Sequence, residues 1–409
     1  MKTLKFSGPY LFDSLINRNE YSNDIQGCIK RTFLNNNLNV INHKYFYYSF
    51  SSTINYLKAI RFDDYTPEYN DEFKTEVHCF LEWCRSGIDN NFEFGKPIAY
   101  FSLGCGDGEK DKEIIDGLQS KFQSKIDYFP IDFSYFLLNM TVGKIQKLND
   151  MGGIFPYNID FNCMGSLMNG VNPSDKTTIF SLLGNTIGNY KEELLLSQIS
   201  AIMKSGDYLL IGHRIISDET VTSVSNEGNS AFLLQPLKYF IKGNLNKKKI
   251  STEFVNNKSL SNIENSKSAI VYYIQNQNDI IRLTYSTRYE KNSFVIYLNG
   301  DNKFNLKFID QFYNEDTNPS YSLVLYEKAE DIQSLFKSIL QKLEKWLTIN
   351  LSSDEKVRLK NIQNNMNKNP ITEVTFLTNI NDCQNPFQFI KLFSYNHNYK
   401  SYLKELLIK

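Results

Sequence analysis

At 409 residues the chain exceeds one ordinary core of roughly 100 to 200 residues, so two or three packed units are expected. Apolar residues make up 41% and charged residues 22%, the composition of a folded soluble protein and not a disordered one. The 45 basic side chains cancel the 45 acidic ones, leaving no net field to gather phosphate backbones or anionic lipid, so nucleic acid and membrane are disfavoured as partners.

The opening residues contain Pro9 and Asp13 where a secretory apolar region would have to form, so no export signal is expected. No apolar run approaches the roughly 20 residues that span a bilayer. The cysteines at 28, 79, 84, 105, 163 and 383 include no CxxC pair, which points to free thiols in a reducing compartment, and a cytoplasmic location is expected. Histidines at 43, 78, 213 and 397 are dispersed and offer no ligand spacing, so no metal is expected.

From Ile98 the pattern alternates in a βαβ rhythm: a strand at Ile98–Leu103, a Gly-rich turn, a helix at Lys110–Gln123 and a strand at Asp127–Ile131. A helix at Tyr135–Leu148, strands at Gly153–Tyr157 and Thr177–Leu183, a helix at Lys191–Met203 and a strand at Asp207–Gly212 continue it. Four or five parallel strands are implied. After residue 213 the rhythm stops, with a helical stretch near Phe232–Ile241 and then alternating runs at Ser268–Gln275, Ile280–Tyr289 and Ser293–Leu298 that read as antiparallel strands. A closing hairpin follows at Asn305–Phe312 and Tyr321–Tyr326. Apolar residues at helical spacing over Ala329–Leu347 open a helical C-terminal extension, read either as core packing or as a face for dimerisation or a protein contact.

Four strand ends carry chemistry. Tyr100–Gly108 runs from a strand into a turn with Gly104, Gly106 and Gly108, where the absent Cβ lets a ligand approach the backbone; alone, it fits an ordinary strand-to-helix turn equally well. The next strand ends at Asp132, roughly 25 residues beyond, where a carboxylate accepts ribose hydroxyls in nucleotide-binding sheets. A third edge, Ile159-Asp160-Phe161, presents an acid and an aromatic suited to an adenine amine and its face. The fourth strand ends in Leu183-Gly184-Asn185-Thr186-Ile187-Gly188-Asn189, at the edge where a cofactor's reactive end lies. Glu109 follows Gly108, so the third glycine of GxGxxG is missing and a nicotinamide cofactor ranks last.

The segment Leu183–Asn189 is similar to the GxTIGN signature of the histidine-specific Nα-methyltransferases of the ergothioneine pathway. Lys44-Tyr45-Phe46-Tyr47-Tyr48 followed by Asp64-Tyr65-Thr66-Pro67 resembles that family's FYD…YYPT segment, and Gly206–Gly212 its GDxLLLG strand. The likeness spans roughly residues 40 to 328 and implies an α/β fold: a class I, Rossmann-like methyltransferase sheet with a second substrate-binding domain and a helical C-terminal extension. The corresponding divisions are 1–75 and 214–289 for the substrate-binding domain, 76–213 and 290–328 for the core, and 329–409 for the extension. The resemblance implies S-adenosylmethionine held by Gly104, Cys105, Gly106, Asp132, Phe133, Asp160, Phe161, Gly184 and Thr186. It implies a substrate met by Asn189, Tyr48 and Tyr65 in the catalytic role, with Tyr56, Thr284 and Ser286 also in the pocket.

The departures bear on specificity. Where the family has a Glu-x-Ser pair that grips an imidazole, this chain reads Thr284-Tyr285-Ser286, and a further family tyrosine has no counterpart within Thr220–Asn229. A hydroxyl lacks the charge-assisted hydrogen bond a carboxylate gives an imidazole N–H, worth roughly 1.5 to 3 kcal/mol, so histidine selectivity is expected to be weak or absent. The expected activity is N-methylation of an amino acid, an amino-acid derivative or a peptide amine. The alternatives are a small-molecule O-, C- or S-methyltransferase of secondary metabolism and a non-catalytic protein that keeps the cofactor fold.

Overall fold

Ile98–Leu103 (β1) and Thr177–Leu182 (β5) are buried at every position, as a strand covered by helices on both faces must be. They form the centre of an eight-stranded sheet in a computed structural model that describes residues 40–329 except 42, 48, 62–66, 87–96, 162–163, 165–172, 174, 217–230, 240–244, 247–248, 257, 259, 277–278, 301–302 and 314–318. These residues belong to the first of two units, Met1–Ala329 and Glu330–Lys409. The expected helix at Ala329–Leu347 therefore lies outside the described residues, Ala329 apart, as do Tyr48, Tyr65 and the segment Thr220–Asn229.

Beside β1 lie β2 (Ile126–Asp132) and then β3 (Met151–Ile154), with the short β4 (Tyr157–Asn158) also paired to β2, all parallel. On the other side β5 is followed by β6 (Tyr208–Arg214), also parallel. The expected single strand at Gly153–Tyr157 is split into β3 and β4 around Phe155-Pro156, because Pro156 has no N–H for a ladder. The closing hairpin β10 (Phe304–Tyr313) and β11 (Pro319–Lys328) adds β11 antiparallel to β6, with β10 outermost.

Alternate side chains of the sheet feed two cores. On one face Phe101 stacks on Phe129 at 4.1 Å and Phe180 at 4.5 Å, directly across the register, beneath Leu195 and Ile199 of α5 (Glu192–Ile202) in chain-order numbering. On the other face Tyr100, Tyr128 and Ile179 pack against α2 (Pro67–Ser86) and α3 (Glu109–Phe122) through Phe80, Trp83, Ile114 and Leu118. The helix α4 (Tyr135–Ile145) starts at the end of β2, where the Ser134 hydroxyl accepts the Leu137 N–H.

A separate antiparallel sheet contains β7 (Ile250–Val255), β8 (Ser266–Asn276) and β9 (Asp279–Tyr289). Its apolar face shares one core with the N-terminal segment: Val271, Tyr273, Ile281 and Leu283 pack with Ile41, Tyr45, Phe46, and Ala59 of α1 (Phe50–Arg61). The helix expected near Phe232–Ile241 is broken into a turn at 231–233 and a 3-10 turn at Pro236–Tyr239, since Pro236 supplies no N–H to continue it.

One expectation is overturned. Ser293–Leu298, read as a strand, lies in the helix α6 (Ser293–Gly300). Its β-branched and aromatic residues favour a strand locally, but Phe294 and Leu298, one helical turn apart, are buried while Ile296 is 69% exposed. Tertiary burial at a helical period outweighs local preference. Among the described residues no helix is long and apolar enough to cross a membrane.

Candidate active site

The carboxyl ends of β1, β2 and β5 place the candidate residues side by side. After β1 the chain turns through Gly104 at φ +77°, a conformation that a side chain would strain. The Gly104 and Cys105 N–H groups donate to the Ile131 carbonyl at 2.8 and 3.3 Å, fastening the turn to β2. Gly106 N–H donates to Asp132 Oδ2 at 3.1 Å and Ser134 N–H to Oδ1 at 2.7 Å. Burial pushes the Asp132 carboxyl up to about 6, although those backbone donors pull the other way. Above that pH it is a nearly buried anion whose oxygens retain lone pairs for further donors.

The turn beyond β5 reaches the same place. A Cβ on Gly104 would lie 3.5 Å from the Thr186 methyl and 3.6 Å from the Phe161 ring, so the Gly104 and Thr186–Asn189 turns face each other. Asn185, left-handed at φ 59°, holds the second turn in place. Its Oδ1 accepts Arg214 N–H at 2.9 Å, and its Nδ2 donates to Ser286 Oγ at 3.1 Å and to the Thr287 carbonyl at 3.5 Å. Gly188 is required because a Cβ there would strike the Thr287 carbonyl. The Asn189 amide, half-buried at the end of this turn, hydrogen-bonds no described residue.

Behind the turn, Gly184 N–H donates to Tyr321 Oη at 3.1 Å and to Glu76 Oε1 at 3.4 Å. Glu76 also accepts Tyr321 O–H at 2.6 Å and pairs with Lys110 at 2.5 Å. One buried carboxylate on α2 thereby gathers donors from three other elements. Asp111 does the same beneath the glycine turn, accepting the hydroxyls of Tyr100 at 3.0 Å and Tyr128 at 2.5 Å. Neither anchor shows in the sequence, because Glu76 and Lys110 or Asp111 and Tyr128 belong to different elements with no mutual spacing.

The N-terminal segment packs against the same edge. Lys44 donates to Asp160 Oδ2 at 3.0 Å and its ammonium lies 5.9 Å from the centre of the Phe133 ring. His43 Nδ1 hydrogen-bonds Thr284 Oγ1 at 3.2 Å and Nε2 hydrogen-bonds Tyr47 Oη at 3.1 Å. Burial pulls its pKa down to about 4, so the ring is neutral. Tyr190 lies between the two, its ring 5.5 Å from Phe161 and 6.3 Å from His43. Tyr56, expected at the substrate, stands with its hydroxyl 3.9 Å from the Cβ position of Gly106 and its ring 5.1 Å from Tyr47. The structure thus brings together Gly104, Gly106, Asp132, Phe161 and Thr186, with Phe133, Asp160, Gly184, Asn189, Thr284 and Ser286 on the surrounding elements.

Cys105 contributes its backbone N–H to the turn. Burial, reinforced by Asp132 and Asp111, pushes its thiol well above the usual range, so it is not a nucleophile. Among the described residues no group of His, Cys, Asp and Glu is arranged to hold a metal ion. The nearly buried Asp132 and the turns free of Cβ at Gly104 and Gly106 fit a ribose-bearing cofactor at the carboxyl edge of a parallel sheet, with Asp160 and Phe161 one strand further out.

This sheet order, with antiparallel β11 between β6 and β10, and this edge site belong to a methyltransferase dependent on S-adenosylmethionine. The chain belongs to the family described as histidine-specific methyltransferase, SAM-dependent, whose model matches residues 26–294. Solved structures similar to it include the CcbJ methyltransferase from Streptomyces caelestis, at 11% identity over 71% of this chain and 99% of that one, TM-score 0.38. The N-methyltransferase NodS from Bradyrhizobium japonicum WM9 matches at 8% identity over 63% and 97%, TM-score 0.32. The glycopeptide N-methyltransferase MtfA complexed with S-adenosyl-L-homocysteine matches at 8% identity over 61% and 86%, TM-score 0.33. No curated protein matches the chain.

Proposed function

We propose that the enzyme methylates the nitrogen of an amino acid, an amino-acid derivative or a peptide amine other than free histidine. The observation that carries the reading is the Asn189 amide: it ends the turn that faces Gly104 and makes no hydrogen bond to a described residue, so it is available to a ligand. Thr284 supports the exclusion of histidine, since its hydroxyl is already engaged by the chain's own His43 imidazole and brings no charge. Tyr48 and Tyr65 are proposed to hold the remaining polar groups of the substrate.

S-adenosylmethionine supplies a methyl group on a sulfonium, open to in-line attack. The chain's contribution is alignment. Asp132 would accept the ribose hydroxyls, Asp160 and Phe161 would take the adenine, and Gly104 and Gly106 would let the cofactor lie against the backbone. Asn189 would hold and orient the substrate amine. An α-amine with a pKa of roughly 8 has a useful neutral fraction at physiological pH, so no strong base is required. Neutral His43 does not compete for the proton.

Incubating the enzyme with S-adenosylmethionine and a panel of amino acids, their derivatives and short peptides, followed by fragmentation mass spectrometry, tests the reading. A methyl on nitrogen is expected. A methyl on oxygen, carbon or sulfur, or histidine as the best substrate, would contradict it.

A further inference from the structure

The 3-10 turn His43–Phe46 sends adjacent side chains in two directions. His43 goes to Thr284 on β9, and Lys44 goes to Asp160 beyond β4. The turn itself belongs to the three-stranded sheet: Tyr45 and Phe46 are buried in the core they share with β8 and β9, and Ile41 N–H donates to the Arg282 carbonyl at 3.3 Å. The Lys44–Asp160 pair therefore joins the substrate side of the cleft to its cofactor side. Its side chains are 24% and 18% exposed, which leaves the pair partly screened by water.

We infer that Lys44 is a positioning residue that couples cofactor occupancy at Asp160 to the rigidity of the His43–Phe46 turn. An ion pair in this setting is weak while water reaches it. A ligand lying against Asp160 and Phe133 expels that water, lowers the local dielectric and strengthens the pair. The turn, with His43 and its bond to Thr284, is thereby held more rigidly at the cofactor edge. Coupling is reciprocal, so the tightened pair in turn raises the affinity for the cofactor. The inference rests on placing the adenine at Asp160, and the experiment separates the two.

Binding of S-adenosylhomocysteine to the full chain is measured by calorimetry, and backbone protection by hydrogen exchange, for the native protein, Lys44→Met and Lys44→Arg. Methionine keeps the stem and removes the charge; arginine keeps the charge. In the native protein the ligand is expected to slow exchange at the Gly104–Gly106 turn and also at Ile41 and the His43–Phe46 turn. Lys44→Met is expected to bind roughly three- to tenfold more weakly and to show ligand protection at Gly104–Gly106 alone, and Lys44→Arg to restore both. Protection of the His43–Phe46 turn in Lys44→Met equal to the native would overturn the coupling, as would its absence in the native protein despite protection at Gly104. Ligand binding with no protection at Gly104–Gly106 would overturn the cofactor site and the coupling with it.

Discussion

Asp132→Asn separates the cost of the site from its use. Asp132 is only 8% exposed, and burial raises its pKa from 3.8 to about 6. A carboxyl whose folded-state pKa lies above the unfolded value favours folding below the unfolded value and loses that contribution as pH rises through the folded one. The shift amounts to roughly 3 kcal/mol between pH 4 and pH 7. Asparagine removes this titration, and its oxygen keeps the Ser134 N–H while its NH2 faces the Gly106 N–H, at a cost of about 1 to 3 kcal/mol. Relative to the native protein, the variant is expected to be less stable near pH 4 and to recover by roughly 2 to 3 kcal/mol by pH 7.5. At pH 7.5 its affinity for S-adenosylhomocysteine is expected to fall about 10- to 100-fold through loss of the charged acceptor. Denaturant titrations at both pH values and calorimetry measure the two quantities. A stability difference that is flat with pH would refute the raised pKa, and unchanged affinity would refute the ribose contact.

His213 predicts the opposite pH sign. Fully buried against Tyr289 and Phe294, with no well-formed hydrogen bond at either ring nitrogen, it is pulled down to about 4, the Arg214 backbone offsetting this only in part. Its contribution is complete above the unfolded value near 6.5 and is lost as pH falls through the folded one, roughly 3 kcal/mol in all; His213→Phe should flatten acid denaturation between pH 7 and 4. Asp111→Ala strands the buried Tyr128 hydroxyl and leaves Tyr100 with Ser181 as its partner, so it should cost roughly 2 kcal/mol in a denaturant titration, whereas a loss below about 0.5 kcal/mol would show that the network contributes nothing. Asn189→Ala should leave S-adenosylhomocysteine affinity within about twofold while lowering kcat/KM for the amine by at least roughly tenfold. Equal kcat/KM would remove Asn189 from the site.

The parallel core was readable because its signals are local. Continuous apolar runs give β1 and β5, and each is followed by a turn whose glycines or small polar residues have a reason to be there. Asp132 and Asp160 were legible from their places at strand ends. Ser293–Leu298 misled because local preference and tertiary burial disagree there, and burial decides. Lys44 lay inside a recognisable motif, yet its bond to Asp160 spans 116 positions and no periodicity marks it. The Glu76 and Asp111 anchors were invisible for the same reason. His43, one of four scattered histidines, acquires meaning only when β9 brings Thr284 beside it.

The most direct measurement is a crystal structure of the enzyme with S-adenosylhomocysteine. The expected electron density has the ribose on Asp132, the adenine beside Asp160 and Phe161, and the sulfur facing the Thr186–Asn189 turn with Asn189 turned toward the open space beyond it. A ligand bound away from Gly104, or a sulfur directed to the far side of the sheet from Asn189, would contradict a shared cleft for methyl donor and amine.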